Sequence, residues 1–415
     1  MTSQNPYPSG KTDTILDIPG LQVGQAQDLV ALTGLTVLLA PDGAVAGADI
    51  RGGGSGTREI QLTDPRTATD LVHAIVLSGG SAFGLDAAGG VMAWLEERGI
   101  GFDTGVARVP LVPQAILFDL GLGDSKVRPD HAMAQEACDH ASADGQALAQ
   151  GNYGAGCGAC IGKLRQGRGA MKSGIGSASV VLEGGFAVGA IVAVNALGDV
   201  YEDGRIIAGM LELPEAEASQ AAGAVGAAKA GAVGAAEAGA SQAAAGAAKA
   251  GAAPAPAPAP APATAPAPAP VFADAATGTN AVAAAPVFAD SSRCLLQMGA
   301  LSFASLSEPA PAPGTNTTIG IIATNGAFTK AQCGKIASMG HNGMARAIRP
   351  VHTTMDGDLL FSISAGDMPM SVDIAGEMAA IAVERAIIKA VKAAAPAGGL
   401  PSWQSYHPPA DRPHE

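Results

Sequence analysis

Aromatic residues are scarce, 2 Trp, 4 Tyr and 9 Phe in 415 residues, yet 48% of the chain counts as apolar. The gap is filled by alanine, so part of this length is not a core of bulky side chains. Basic charge is also in short supply, with 24 Lys+Arg against 37 Asp+Glu and a formal net charge of −13. A phosphate backbone is neutralised by clustered Lys and Arg, and no basic stripe is present, so nucleic-acid binding is not expected. No run of about 18 bulky apolar residues occurs, so no membrane span is expected. The opening MTSQNPYPSGKTD has no apolar signal core, so export is not indicated. Five cysteines, an odd number, fit a reducing compartment better than a disulfide scaffold. A soluble cytoplasmic protein follows as the expectation.

Residues 13–213 have globular composition. Leu35–Ala40 and Ala74–Leu77 read as strands, and Ser81–Arg98 reads as a helix ended by Gly99. Ser177–Leu182 and Phe186–Val194 read as a hairpin across Glu183-Gly184-Gly185, with Asn195 closing its second strand. Composition then breaks. Over about 214–292, GAVGAA, SQAA and PVFAD each recur, and Pro alternates with Ala over 254–270. These short repeats lack the large side chains that a solenoid must bury. The Pro-Ala tract favours extended polyproline II, at about 3.1 Å per residue. The segment reads as a linker-like insertion.

Globular character returns near Cys294, where Cys294–Phe303 reads as a helix. Thr317–Thr324 has strand composition. Thr329-x-x-Gln332 is a capping-box signature, which predicts a helix to about Ile348. Leu359–Ser364 reads as a strand after the turn Asp356-Gly357-Asp358, and Val372–Ala393 as a terminal helix. The Pro- and His-rich tail from Pro396 reads as frayed.

Most motif chemistry is excluded. Gly154-x-Gly156-x-x-Ala159 matches a dinucleotide fingerprint formally but follows no convincing strand. Gly162-Lys163 lacks the first glycine and the Ser/Thr of a P-loop, and Ser78–Gly84 is not a nucleophile elbow. Cys157-Gly158-Ala159-Cys160 has no second pair for zinc and reads as small residues in a Gly-rich turn. His352 beside a turn serves either catalysis or a structural hydrogen bond.

One set of segments resembles a known family in both order and spacing. It consists of Asp49–Gly53 with Gly56–Glu59, His73–Leu85, Gly154–Gly156 with Gly162–Leu164, Lys172–Ser179, Asn195, Gly314-Thr315-Asn316-Thr317-Thr318-Ile319, and Pro350–Thr353 with Asp356-Gly357-Asp358. Together they resemble the β-peptidyl aminopeptidase and L-aminopeptidase/D-esterase family, which includes the nylon-oligomer (aminohexanoate oligomer) endohydrolases. The resemblance spans about 13–212 and 294–393, and the insertion has no counterpart.

The resemblance implies an α/β protein, a four-layer α-β-β-α sandwich of the kind shared with ornithine acetyltransferase, with one catalytic domain. It implies self-cleavage between Asn316 and Thr317, into an α chain of 1–316 and a β chain of 317–415. Thr317 would then carry both nucleophile and base, because a free α-amine has a pKa of about 7.7–8.0. Lys163 would favour the neutral amine and stabilise developing negative charge. Asn195 would donate to the oxyanion, and Asp356 and Asp358 would orient the amine and oppose Lys163. Phe118 stands where relatives carry a tyrosine, so no hydroxyl is available there and the ring is a candidate pocket wall. Gly278-Thr279-Asn280 repeats the triplet before the cleavage site but is followed by Ala281, so no cleavage is expected there.

The implied substrates are short peptides with a free amino end, including β- or D-amino acids, or nylon-type oligoamides. No metal or organic cofactor is implied, and the cleaved pairs are expected to assemble as a tetramer of heterodimers. Two alternatives stand beside this reading: acyl transfer of the ornithine acetyltransferase kind, and a non-catalytic protein presented on an Ala-Pro stalk.

Overall fold

The computed structural model describes residues 7–141, 147–165, 168–212, 286–302 and 315–407. Residues 213–285 therefore lie outside the described residues, Gly278–Ala281 among them, and the low-complexity segment is described only from its second PVFAD copy, 286–290, onward. The described residues up to Leu211 and from 286 onward belong to one compact unit.

Its frame, among the described residues, is a nine-stranded mixed sheet. We number the strands β1 (Gln22–Asp28), β2 (Thr33–Ile50), β3 (Gly56–Arg58), β4 (Leu71–Ser78), β5 (Gln114–Ile116), β6 (Ile175–Val181), β7 (Ala187–Asn195), β8 (Thr317–Gly326) and β9 (Leu359–Met368). The spatial order is β6-β7-β8-β9-β2-β4-β5-β3, and β1 pairs with β2. β6 and β7 form the expected hairpin, turned by Gly184 and Gly185, both at positive φ. The 18-residue β2 holds the sheet together, pairing its first half with β1 and β4 and its last residues with β9.

Alternation along the central strands sends side chains to two separate cores. On β8, Ile322 joins one cluster while Ile319, Ile321 and Ala323 join the other. On β7, Val188, Val192 and Val194 oppose Ile191 and Ala193 in the same way. Among the described residues five α-helices accompany the sheet: α1 (Ala87–Glu97), α2 (His131–Asp139), α3 (Ser291–Ser302), α4 (Lys330–Ala347) and α5 (Val372–Ala393). The first cluster packs β6–β9 against α4 and α5. The second combines those strands with Leu38, Ile75, Leu77 and Leu117 from the β2–β4 side. A third joins the remaining residues of β2 and β4, such as Val37 and Val76, to α1 and α2.

The α4 start follows its sequence. Thr329 accepts the Gln332 N–H, and the Gln332 side chain accepts the Thr329 N–H at 2.9 Å. Alanine is not confined to the insertion: Ala375, Ala379, Ala382, Ala386 and Ala390 line the buried face of α5, while Ile374 is exposed. Small residues let α4 and α5 approach closely. A Cβ on Gly343 would stand 2.1 Å from the Ala380 carbonyl oxygen.

Two expectations need correction. The segment Ser81–Asp86 is a 3₁₀ turn and the α-helix begins only at Ala87. Gly84 lies so close to the Gly79 carbonyl that a Cβ would stand 2.0 Å from it. The tail is not frayed over 396–407. Leu400 and Ser402 are buried, and Pro401 O accepts the Lys172 N–H at 2.8 Å. Gln404 Nε2 donates to the last carbonyls of α5, Lys392 O and Ala393 O, both at 3.2 Å, so the tail caps that helix. Residues 408–415 lie outside the described set. No described helix is long and apolar enough to cross a membrane.

Candidate active site

Strand directions bring the candidate residues to one end of the sheet. β7 runs antiparallel to β8, and the register sets Asn195 opposite Thr317. β9 runs parallel to β8, so the loop entering β9 reaches the same end, and Asp356 forms a parallel bridge with Asn316. Thr317 and Asn316 are buried there. In the continuous chain the Thr317 hydroxyl donates to the Asn316 carbonyl oxygen at 2.5 Å. The Gly357 N–H donates to the same oxygen at 2.7 Å.

The 356–358 loop is held by the glycine run after β2. Arg51 N–H and Gly52 N–H donate to Asp358 O at 3.0 and 3.1 Å, and Gly54 N–H donates to Asp356 O at 2.9 Å. A Cβ on Gly52 would stand 2.3 Å from the Asp358 nitrogen, so only glycine fits this approach. Both Asp358 oxygens are occupied. Oδ1 accepts the Thr318 N–H at 2.7 Å; Oδ2 accepts the His352 N–H at 3.1 Å and faces His352 Nδ1 at 2.9 Å. His352 adopts a left-handed φ of 57°, an uncommon conformation for a non-glycine residue. Asp356 Oδ2 accepts the Thr353 N–H at 2.9 Å and its hydroxyl at 2.6 Å. Burial, with the Asp358 charge adding to it, pushes the Asp356 pKa above the usual carboxylate range.

Lys163 follows a tight turn at Gly162, whose φ is 71°. Its three ammonium hydrogens meet three acceptors: Asn195 O at 2.8 Å, Asn195 Oδ1 at 2.9 Å and Thr315 O at 3.0 Å. Loss of solvation pushes its pKa down, and the nearby Cys160, Asp356 and Asp358 oppose that shift. Asn195 Oδ1 also accepts the Cys160 N–H at 3.1 Å. Two donors on Oδ1 fix which end of the amide is oxygen. The amide nitrogen then turns to the Phe118 carbonyl at 2.8 Å. Phe118 thus meets the site through its backbone, and its ring is half-buried.

The structure brings Thr317, Asn316, Lys163, Asn195, Asp356 and Asp358 together. It also adds participants that the sequence reading did not assign. Gly357 contributes only its backbone N–H, and Cys160 contributes its N–H with a long thiol contact, Sγ to Asn195 Oδ1 at 3.8 Å. His352 makes the structural hydrogen bond, to Asp358. Lys172 is fully buried and donates to Gly156 O, Ala159 O and Ser173 O at 3.1, 2.9 and 2.5 Å. It steadies the loop that presents Cys160, and burial pushes its pKa down to about 8. Lys172 lies within a family-like segment, but its burial is a tertiary outcome. Among the described residues, no group of three His, Cys, Asp or Glu side chains could hold a metal ion. An open depression of about 510 Å³, lined by Leu71, Phe328 and Gln332, lies beyond the other end of β8 from Thr317.

One paired strand end thus gathers a threonine hydroxyl, an enclosed lysine, an oriented asparagine and two buried carboxylates. Residues 13–402 match peptidase family S58, and the chain belongs to that family. It is 34% identical, over 95% of its length and 98% of the relative's, to an uncharacterised aminopeptidase of Mycobacterium tuberculosis. It is 28% identical, over 87% of its length and 78% of the relative's, to a 6-aminohexanoate-oligomer endohydrolase of a Kocuria species. Among solved structures, the fold is similar to a β-aminopeptidase of a Burkholderia species, with a TM-score of 0.57, 17% identity, and coverage of 96% of this chain and 92% of that one. It is also similar to the L-aminopeptidase D-Ala-esterase/amidase of Ochrobactrum anthropi, with a TM-score of 0.56, 16% identity, and coverage of 94% and 88%.

Proposed function

We propose that this chain is an N-terminal-threonine amide hydrolase that first cuts itself between Asn316 and Thr317. The observation that carries the reading is the Thr317 hydroxyl lying 2.5 Å from the carbonyl oxygen of its own preceding residue, inside a buried polar site. Attack of Oγ on that carbonyl exchanges an amide for an ester, and water then releases Thr317 as a new N-terminus. The freed α-amine, with a reference pKa of about 7.7–8.0, removes the Oγ proton for later attacks on substrate.

Each neighbour then has a role. Lys163 places a positive charge beside Asn195 and lowers the amine's proton affinity. Asn195 donates its amide hydrogen to the substrate oxyanion, held in orientation by Lys163 and the Cys160 N–H. Asp358 fixes the start of β8 through the Thr318 N–H, and Asp356 opposes the Lys163 charge. The Phe118 ring walls the pocket in place of a tyrosine.

The proposed substrates are amides of short peptides with a free amino end, or aminohexanoate oligomers, in line with the names of the aminopeptidase and endohydrolase relatives. No cofactor takes part. The proposal includes the four-layer α-β-β-α arrangement, supported by the three core clusters: helices α4 and α5, then β6–β9, then the β2–β4 side, then α1 and α2. It also includes an oligomer of cleaved pairs in the cytoplasm. The test is a panel of p-nitroanilides of α-, β- and D-amino acids set against linear aminohexanoate oligomers. The cleaved protein should hydrolyse at least one class, and Thr317→Ala none. No turnover of any amide by cleaved protein would sink the reading.

A further inference from the structure

We propose that the backbone N–H of Gly357 is the oxyanion donor of the self-cleavage step, an assignment that rests on Thr317 being the nucleophile. In the continuous chain two donors hold the Asn316 carbonyl oxygen: the Gly357 N–H at 2.7 Å and the Thr317 hydroxyl at 2.5 Å. Only the first survives the reaction. As Oγ bonds to the Asn316 carbonyl carbon, its proton leaves and the carbonyl π pair moves onto oxygen. The Gly357 N–H remains on the oxygen as it gains charge. Collapse of this intermediate breaks the Asn316–Thr317 C–N bond, and the Oγ proton ends on the Thr317 nitrogen. Water then splits the ester, giving its hydroxyl to the Asn316 carbonyl and its remaining proton to Oγ.

The amide is fixed before the reaction, which is the condition for electrostatic stabilisation. The carbonyl preceding it, Asp356 O, accepts the Gly54 N–H at 2.9 Å, and Gly357 O accepts the Ser55 hydroxyl at 3.1 Å. Asn195 makes no hydrogen bond to this oxygen in the uncut chain; its amide nitrogen donates to Phe118 O. The residue type at 357 also follows. A Cβ there would stand 2.7 Å from Thr317 Oγ and 2.9 Å from Gly54 O. Any side chain must push away either the nucleophile or the donor. Sequence reading takes Asp356-Gly357-Asp358 as a turn glycine between two carboxylates; the geometry makes the glycine a participant.

The test replaces the amide by an ester. Glycolic acid is inserted at position 357 by amber suppression in cell-free translation, which deletes the N–H and adds no side chain. The ester also weakens Asp356 O as an acceptor, so a second chain carries glycolic acid at position 54, where the same contact is lost but the Gly357 N–H remains. Cleavage is scored on the fraction that elutes with the uncut Thr317→Ala chain. Loss of one oxyanion donor costs about 10²–10³ in rate. The expectation is that order of slowing at 357 and less than tenfold at 54. A 357 ester that cleaves within threefold of wild type, or equal slowing at both positions, overturns the assignment. Wild-type chain that stays uncut in the same translation overturns the Thr317 reading instead.

Gly357→Ala gives an independent arm. It should stay uncut, and hydroxylamine, which cleaves esters, should release no fragment that begins at Thr317. Cleavage at the wild-type rate, or a hydroxylamine-released fragment that begins at Thr317, overturns the proposal.

Discussion

Lys163→Met deletes the ammonium and keeps most of the side-chain volume, so it separates stability from chemistry at this site. Three hydrogen bonds are lost, to Asn195 O, Asn195 Oδ1 and Thr315 O. A bond to a charged group contributes about 1.5–3 kcal/mol, so their sum is roughly 5–9 kcal/mol. Those figures are already net of the water the ammonium gives up and do not add fully, so the variant should lose about 3–5 kcal/mol of unfolding free energy, the usual cost of removing one partner of an enclosed ionic contact. Chemistry in the variant that remains folded should fall further. Asn195 Oδ1 keeps only Cys160, its N–H at 3.1 Å and its thiol at 3.8 Å, and its amide can turn. Losing an oriented oxyanion donor costs about 10²–10³ in kcat. The assays are urea unfolding of cleaved wild type against the variant, and initial rates on the best amide substrate. A variant that turns over within threefold of wild type would refute the role given to Lys163. So would a rate loss that merely follows unfolding.

Three further expectations follow from the same geometry. His341 is fully buried, and burial holds its pKa near 4. It is therefore neutral when folded, and its contribution is complete above about pH 6.5 and lost as pH falls towards 4. The loss is on the order of 3 kcal/mol, so His341→Gln should flatten the fall of the urea midpoint between pH 7 and 4; an unchanged slope counts against it. Gly52→Ala should destabilise by about 1–3 kcal/mol and slow self-cleavage at least tenfold, because its Cβ meets the 356–358 backbone. Gly334→Ala, whose Cβ finds nothing nearer than 3.9 Å, should do neither; equal thermal shifts in the two would contradict this. Replacing 213–285 by a four-residue turn should leave soluble, self-cleaving protein. Leu211 already bridges Phe288, Ala289 N–H donates to Met210 O at 2.8 Å, and Asp199 accepts the Met210 and Ser291 N–H groups. Shortening the loop by about four doublings lowers closure entropy by roughly 2–3 kcal/mol, so a less stable or uncut product would show that the segment takes part in folding.

Those contacts also show where the insertion meets the folded unit. Composition drew its far edge at 292, but Ala289 and Ser291 are buried against Asp199 and Met210, a pairing between residues about 80 to 90 positions apart that no local window contains. What local windows do contain was readable. The Thr329–Gln332 capping box starts α4 where expected, and Val372–Ala393 is a helix over that whole span. The hairpin turned at Gly184-Gly185 ends on Asn195. The candidate site side chains came from the family resemblance, since each alone is an ordinary strand, surface or turn residue; the structure brings Thr317, Lys163, Asn195, Asp356 and Asp358 to one strand end. What escaped was backbone and burial. The Gly357 and Cys160 N–H groups are common to nearly every residue, and the depth of Lys172 is set by chains distant in sequence. The docking of the tail on α5 depends on carbonyls that only the folded helix presents.

The account turns on whether the chain cuts itself at one bond. Purified protein should run on a denaturing gel as two fragments, and N-terminal sequencing of the smaller should read Thr317-Thr318-Ile319. A single full-length band, identical to that of Thr317→Ala, would contradict the account at its centre.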